Sequence, residues 1–234
     1  MTRSIEALVD EQARRWAVVR RQGEREQKRP VITVARLHGA LGDELARQLA
    51  TELGLDLFDQ EIIHLIAERT HLAERVVEAL DDKDRELLTD WLAGLVSRAY
   101  LSPVEYRYHL ARVIGAIAHQ GGAVIVGRGG HLLLGVGTAL RVLAVAPLED
   151  RVRNVMKQEG LGEREARRRV IDVEADRRAF LMKQFHAEFA EPTGFDLVVN
   201  TSALGLEGAA GAVRAALAAR PVRSKNCAMA PAAV

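Results

Sequence analysis

Between Gly39 and Glu44 the chain reads Gly-Ala-Leu-Gly-Asp-Glu. The apolar, β-branched run Val31-Ile32-Thr33-Val34 precedes it, and Leu45, Ala46, Leu49 and Ala50 follow on one face of a helical pattern. Strand, glycine turn and helix start, in that order, form an anion cradle. The glycines let the backbone approach a ligand, and the free N–H groups at the positive helix end attract negative charge. Gly39, Ala40, Leu41, Gly42, Asp43 and Glu44 are the candidate contacts. The alternative is an ordinary strand-to-helix turn.

The residue types in this turn limit that chemistry. A full phosphate loop reads G-x-x-x-x-G-K-S/T, with lysine on the phosphates and a hydroxyl on magnesium. No Lys, Ser or Thr lies between Arg36 and Glu44. Leu41 stands where a glycine would bring the backbone to the ligand. Asp43 puts a carboxylate at the helix start, where it could serve as a cap instead of a phosphate. At an effective dielectric of ~20, two like charges ~4 Å apart repel by about 4 kcal/mol. Arg36 is the candidate replacement cation, because a guanidinium binds phosphate through two nitrogens.

Three further places carry charge beside short apolar runs. Asp59 ends Leu55-Asp56-Leu57-Phe58-Asp59 and could orient a ligand or cap the helix that begins at Gln60. Arg128 sits among Gly127, Gly129 and Gly130 after Ala123 to Val126, where the glycines leave room for a phosphate; a structural ion pair is the other reading. The basic region 149–184 contains Arg151 and Arg177. Its Glu163–Arg167 and Glu165–Arg169 spacings also suit a solvated helix laced with ion pairs.

The elements that must position these groups follow from the pattern. Strands are expected at 31–34, 55–59, 123–126, 140–146 and 196–200. Helices are expected at 60–68, 72–80, around Trp91 to Val96, at 106–119, within 149–184, and after Gly205 to near Arg220. Short apolar strands separated by helices indicate a parallel sheet with helices on both faces. Ligands of such sheets lie beyond the strand C-terminal ends. That places Gly39–Asp43, Asp59, Gly127-Arg128 and Pro147–Arg151 along one rim. Residues 2–29 are expected to form a helix with Ile5, Leu8, Val9, Trp16 and Val19 on one stripe, suited to packing on its own domain or on a second copy as a homodimer; a basic membrane-surface helix is the other reading, weakened by the acids among its arginines. Residues 81–120 make a helical region, and 221–234 a disordered tail.

The totals bound the function classes. Hydrophobic residues make up 48% of 234, charged residues 28%, and the formal net charge is +1. Nothing global therefore calls for nucleic acid or an anionic membrane. No apolar run reaches the ~18 residues that span a bilayer, and the charged N-terminus lacks a signal-peptide core. The single cysteine, Cys227, makes no disulfide framework. A cytoplasmic protein is the expectation. The seven histidines show no metal-ligand spacing, so no metal site within the chain is expected.

The ordered pieces ITVAR-x-x-G-x-x-G-x-E-x-A (32–46), LGLDLFDQEII (53–63), VIVGRGG (124–130), APLEDRVRNVMKQEGL (146–161) and FDLVVNTSALGLEG (195–208) resemble the cytidylate kinase-like family of P-loop nucleoside monophosphate kinases. The resemblance spans roughly 31–215. The family's loop usually reads G-S-G-G-R where this chain has Gly39-Ala40-Leu41-Gly42-Asp43. The resemblance implies a three-layer α/β fold with a five-stranded parallel sheet over 30–220, a helical lid at 149–184, and 1–29 as an additional helix. It implies ATP with Mg2+ as donor, CMP or dCMP as acceptor, and Gly39–Glu44 as the donor cradle. Asp59 and Arg128 fall on the acceptor side, and Arg36, Arg128, Arg151 and Arg177 are the candidate catalytic cations. The altered loop leaves a second expectation: a kinase-fold nucleotide-binding or regulatory module without turnover.

Overall fold

The computed structural model describes residues 9–16, 29–80, 82–97, 106–135 and 137–220. The rest of the N-terminal segment, the tail beyond 220, Cys227 and the Ser102-Pro103 break lie outside the described residues.

Five parallel strands form one sheet in the order β2-β3-β1-β4-β5. They are β1 (Val31–Arg36), β2 (Asp56–Phe58), β3 (Ala123–Val126), β4 (Leu140–Val145) and β5 (Leu197–Asn200). Central β1 pairs Val31 with Ala123 of β3 and Ile32 with Leu140 of β4. Every residue of β1 and β3 is buried. This is why their sequences are continuous apolar runs and not alternating ones: helices cover both faces.

Each face has its own core. Ile32, Val34, Val124 and Val142 pack against α2 (Gly42–Leu53) and α10 (Thr201–Ala219). On the other face, Val31 and Ile125 meet α3 (Gln60–Glu68), α4 (Thr70–Glu78), α5 (Asp82–Ser97) and α6 (Tyr106–Gln120). The helical residues 9–16, α1, join this second core through Val9 and Trp16. Trp16 lies 6.4 Å from the Phe58 ring, and Gln12 donates to Asp56 at 2.7 Å.

Helix ends follow local chemistry. Gly54, in the left-handed region, closes α2, and the Asp59 carboxylate accepts from the Glu61 and Ile62 amides at the start of α3. The basic region divides into α8 (Leu148–Glu159) and α9 (Glu163–Phe185) at left-handed Gly160. Val152 and Val155 of α8 pack against Ala166 and Val170 of α9. Two elements differ from expectation. A short helix, α7 (Gly130–Leu133), follows β3, and α10 starts at Thr201 rather than after Gly205. The Asn200 side chain caps it, and Gly205 breaks its regularity with φ 67°, ψ 173°.

Candidate functional site

The Gly39–Glu44 turn leaves the C-terminal end of β1, as expected of a cradle. Leu37 N–H donates to the Ala144 carbonyl at 3.0 Å, and Ala40 N–H to the Leu37 carbonyl at 3.1 Å. Leu41 occupies the position before α2 at φ 55°, a left-handed conformation that costs an L-residue about 1–2 kcal/mol. Asp43 makes no cap. Its carboxylate is held by Arg36, Nη2 to Oδ1 at 2.9 Å and Nε to Oδ2 at 3.2 Å. A Cβ on Gly42 would collide with Arg36 Cβ.

Helices α8 and α9 close over this turn. Asn154 Nδ2 donates to the Gly39 carbonyl at 2.8 Å, and a Cβ on Gly39 would lie 2.5 Å from the Arg151 carbonyl oxygen. Arg151 is 8% exposed. Its Nε donates to the Ala146 carbonyl at 3.0 Å, and its Nη1 to the His38 carbonyl at 3.4 Å and to the Glu174 carboxylate. Glu174 Oε1 also accepts from the His38 backbone N–H at 3.2 Å. Arg177 Nη1 donates to the Arg36 carbonyl at 3.0 Å.

Beside the turn, a cavity of about 270 Å³ opens between the ends of β1 and β3 and the face of α9. Arg36, Arg128 and Arg177 line it, with Asp176, Gln60, His131 and the rings of Phe180, Phe189 and Phe195. Arg128 stands at φ 50° between Gly127 at φ 71° and Gly129 at φ 69°. Three successive left-handed residues turn the chain sharply enough to aim this side chain back over the strand ends. Arg128 Nε donates to the Gln60 carbonyl at 3.1 Å, and its guanidinium lies 5.2 Å from the Phe180 ring centre. A Cβ on Gly127 would lie 2.7 Å from Arg36 Nη1, and one on Gly129 2.5 Å from the Phe185 ring. Gly129 is therefore needed for close packing against Phe185, and both glycines suit the positive φ that L-residues rarely adopt.

Positive charge dominates the cavity. Burial, and then the neighbouring Arg36 charge, lower the Arg177 pKa to about 10; it stays cationic near neutral pH. His131 is buried against Phe195, ring centres 4.5 Å apart, and its burial, reinforced by Arg141, lowers its pKa to about 4. His38, in the turn, is lowered to about 4 by burial and then by Arg177. Both imidazoles are neutral at pH 7.

The structure thus brings Arg36, Arg128 and Arg177 to one cavity and places the other candidates elsewhere. Gly39, Ala40, Leu41, Gly42, Asp43 and Glu44 do not line it. Arg151 is a buried tie between the turn and α9 and does not face the cavity. Asp59 caps α3. Along the basic region, Arg167 pairs with Glu149 and Glu163, and Arg169 with Glu159 at 3.3 Å. Glu174, Asn154, His131, Phe180 and Phe195 join the site through tertiary packing, with no local sequence signal that marks them.

A five-stranded parallel sheet with a glycine turn leaving its central strand and a cationic cavity at the strand ends makes a kinase-like α/β fold. The sequence profile of the cytidylate kinase-like family matches residues 31–203, and the chain belongs to that family. Comparison with curated proteins returned no match. Among solved structures, an uncharacterized protein from Eubacterium ventriosum is similar in fold at 14% identity and TM-score 0.57, covering 82% of this chain and 100% of that one. A shikimate kinase from Bacteroides thetaiotaomicron aligns at 15% identity and TM-score 0.46, over 81% of this chain and 98% of that one. TT1252 from Thermus thermophilus aligns at 22% identity and TM-score 0.44, over 82% and 99%.

The family implies ATP and Mg2+, and the turn does not fit a triphosphate in this arrangement. Glu174 already accepts from the His38 amide, Gly39 packs on the Arg151 carbonyl, and no hydroxyl or lysine stands in the turn to meet a metal or a γ-phosphate. Among the described residues no cluster of three or more His, Cys, Asp or Glu could hold a metal ion, and no helix is long and apolar enough to cross a membrane.

Proposed function

We propose that this protein binds a nucleoside monophosphate of the CMP or dCMP class. The phosphate lies against Arg36, Arg128 and Arg177, and the base lies toward the aromatic side of the same cavity. The observation that supports this most directly is the convergence of three guanidiniums, from β1, the turn after β3, and α9, on one cavity at the strand ends. Charge-assisted bonds from fixed guanidiniums suit a dianionic phosphate. The Phe180 and Phe195 rings give a planar base an apolar wall. Gln60 and Asp176 supply the polar groups a base edge needs.

The family relationship supports phosphoryl transfer to that monophosphate, with α8 and α9 as the lid; a triphosphate donor requires Glu174 to leave the His38 amide first. A second reading, binding without turnover, draws support from the Glu174 carboxylate on the turn amide. Purified protein incubated with Mg2+-ATP and CMP separates the two. CDP formation, with ADP released in equal amount, establishes the kinase. A thermal shift with CMP and no CDP establishes the binding module. Neither CDP nor a shift with any nucleoside monophosphate overturns both.

A further inference from the structure

We propose that the Glu174 carboxylate is an internal ligand at the His38 amide, immediately before the Gly39–Glu44 turn, and that a linear polyphosphate reaching the turn competes with it. The inference rests on reading the turn as the donor side of a kinase-fold site. An anion at such a turn needs a backbone N–H donor, a nearby cation and exclusion of water. Glu174 has all three. Its Oε1 accepts from the His38 N–H at 3.2 Å and from Arg151 Nη1, and its side chain is only 16% exposed.

The contact is not one of the local pairs that decorate the rest of α9. Glu174 is 136 residues from His38 in sequence, and Arg151 is itself 8% exposed and fixed by the Ala146 carbonyl. Arg151 therefore keeps its place whichever anion it meets. Asn154 on the Gly39 carbonyl and Arg177 on the Arg36 carbonyl latch the same two helices to the turn and to the end of β1. Those latches use carbonyl groups, which a phosphate does not contest. The carboxylate is the single member of the set that carries negative charge and takes a donor an anion would use. Release of Glu174 would vacate the amide and free Arg151 Nη1 together, exposing a donor pair for a chain of phosphates. The turn would then discriminate against single phosphates: displacing a two-donor carboxylate takes a ligand with several negative charges, such as tripolyphosphate or a nucleoside triphosphate.

The test titrates full-length protein with inorganic tripolyphosphate, in wild type and Glu174→Gln, by calorimetry, with a parallel CMP titration of each. The expected result is an affinity for tripolyphosphate at least about tenfold higher in Glu174→Gln, with CMP affinity changed by less than about threefold. Equal tripolyphosphate affinities in a folded variant overturn the inference. Loss of CMP binding in both proteins alongside the tripolyphosphate gain overturns the proposed acceptor and leaves this inference standing. Because Glu174→Gln removes the partner of a buried arginine, it could fail to fold. Tripolyphosphate titration of wild-type protein by nuclear magnetic resonance then decides. Coupled movement of the His38 amide and the Glu174 carboxyl carbon is expected. A still carboxyl carbon at millimolar tripolyphosphate overturns the proposal.

Discussion

Arg36 grips Asp43 with two nitrogens, so the carboxylate at the start of α2 is turned toward the strand end and away from the helix amides. The guanidinium side is buried, 6% exposed, whereas the Asp43 side chain is 41% exposed. The pair is therefore partly screened, and its loss is a modest change in stability but a larger change in charge at the cavity wall. Asp43→Asn is expected to lower stability by about 1 kcal/mol, read as a lower urea midpoint. It is also expected to tighten CMP binding, because Arg36 no longer shares its charge. Weaker CMP binding in this variant would contradict that assignment of Arg36.

The two unusual backbone positions of the turn predict opposite outcomes. Gly39→Ala adds a Cβ 2.5 Å from a backbone oxygen at φ 79° and is expected to cost about 2 kcal/mol or more. Leu41→Gly removes a left-handed L-residue. It is expected to leave stability unchanged or raise it by up to about 1 kcal/mol, since the relieved strain slightly exceeds the added chain entropy. Denaturant midpoints check both.

His131 predicts an acid-side loss of stability. Its folded pKa is lowered to about 4 from an ordinary 6.5. As pH falls through 6.5 the unfolded chain takes up a proton that the folded chain refuses. Stability is therefore full above that value and declines down to about pH 4, by up to about 1.4 kcal/mol per pH unit. His131→Phe keeps a ring against Phe195 and is expected to flatten this decline. His38, lowered in the same direction, leaves a residual slope. An unchanged slope in the variant contradicts a neutral His131.

Much of the fold was legible because buried parallel strands write themselves as short apolar runs. Val31–Val34, Ala123–Val126 and Leu140–Val145 needed no further signal, and Asp59 and Gly54 mark real helix ends. Gly160 and Gly162 carried the division between α8 and α9, which a reading by charge alone passed over. The short helix α7 is four residues long, too short for a period to show. The cavity arginines at 36 and 128 were visible as charges ending apolar runs. Arg177 was singled out from its basic surroundings only through the family resemblance. Glu174 was not visible at all. Between Asp172 and Asp176 it looks like one more acid on a solvated helix, and only tertiary packing brings it to an amide 136 residues away. His131 and Phe195 meet for the same reason, across 64 positions of sequence.

Arg128 carries the steepest binding prediction. It is held at φ 50° by flanking glycines and shares its guanidinium with the Gln60 carbonyl and the Phe180 ring. Arg128→Ala keeps the same backbone demand and removes a charged donor. A loss of about 1.5–3 kcal/mol in CMP binding is expected, roughly ten- to hundredfold in Kd, with thermal stability little changed. Unaltered CMP affinity would remove Arg128 from the site.

If the cavity recognises a phosphate through Arg36, Arg128 and Arg177, calorimetry on the wild-type protein must separate CMP from cytidine. CMP is expected to bind about a hundredfold or more tighter than cytidine, with added salt narrowing the gap. Equal affinities for the two, or no binding of CMP at millimolar concentration, would contradict it.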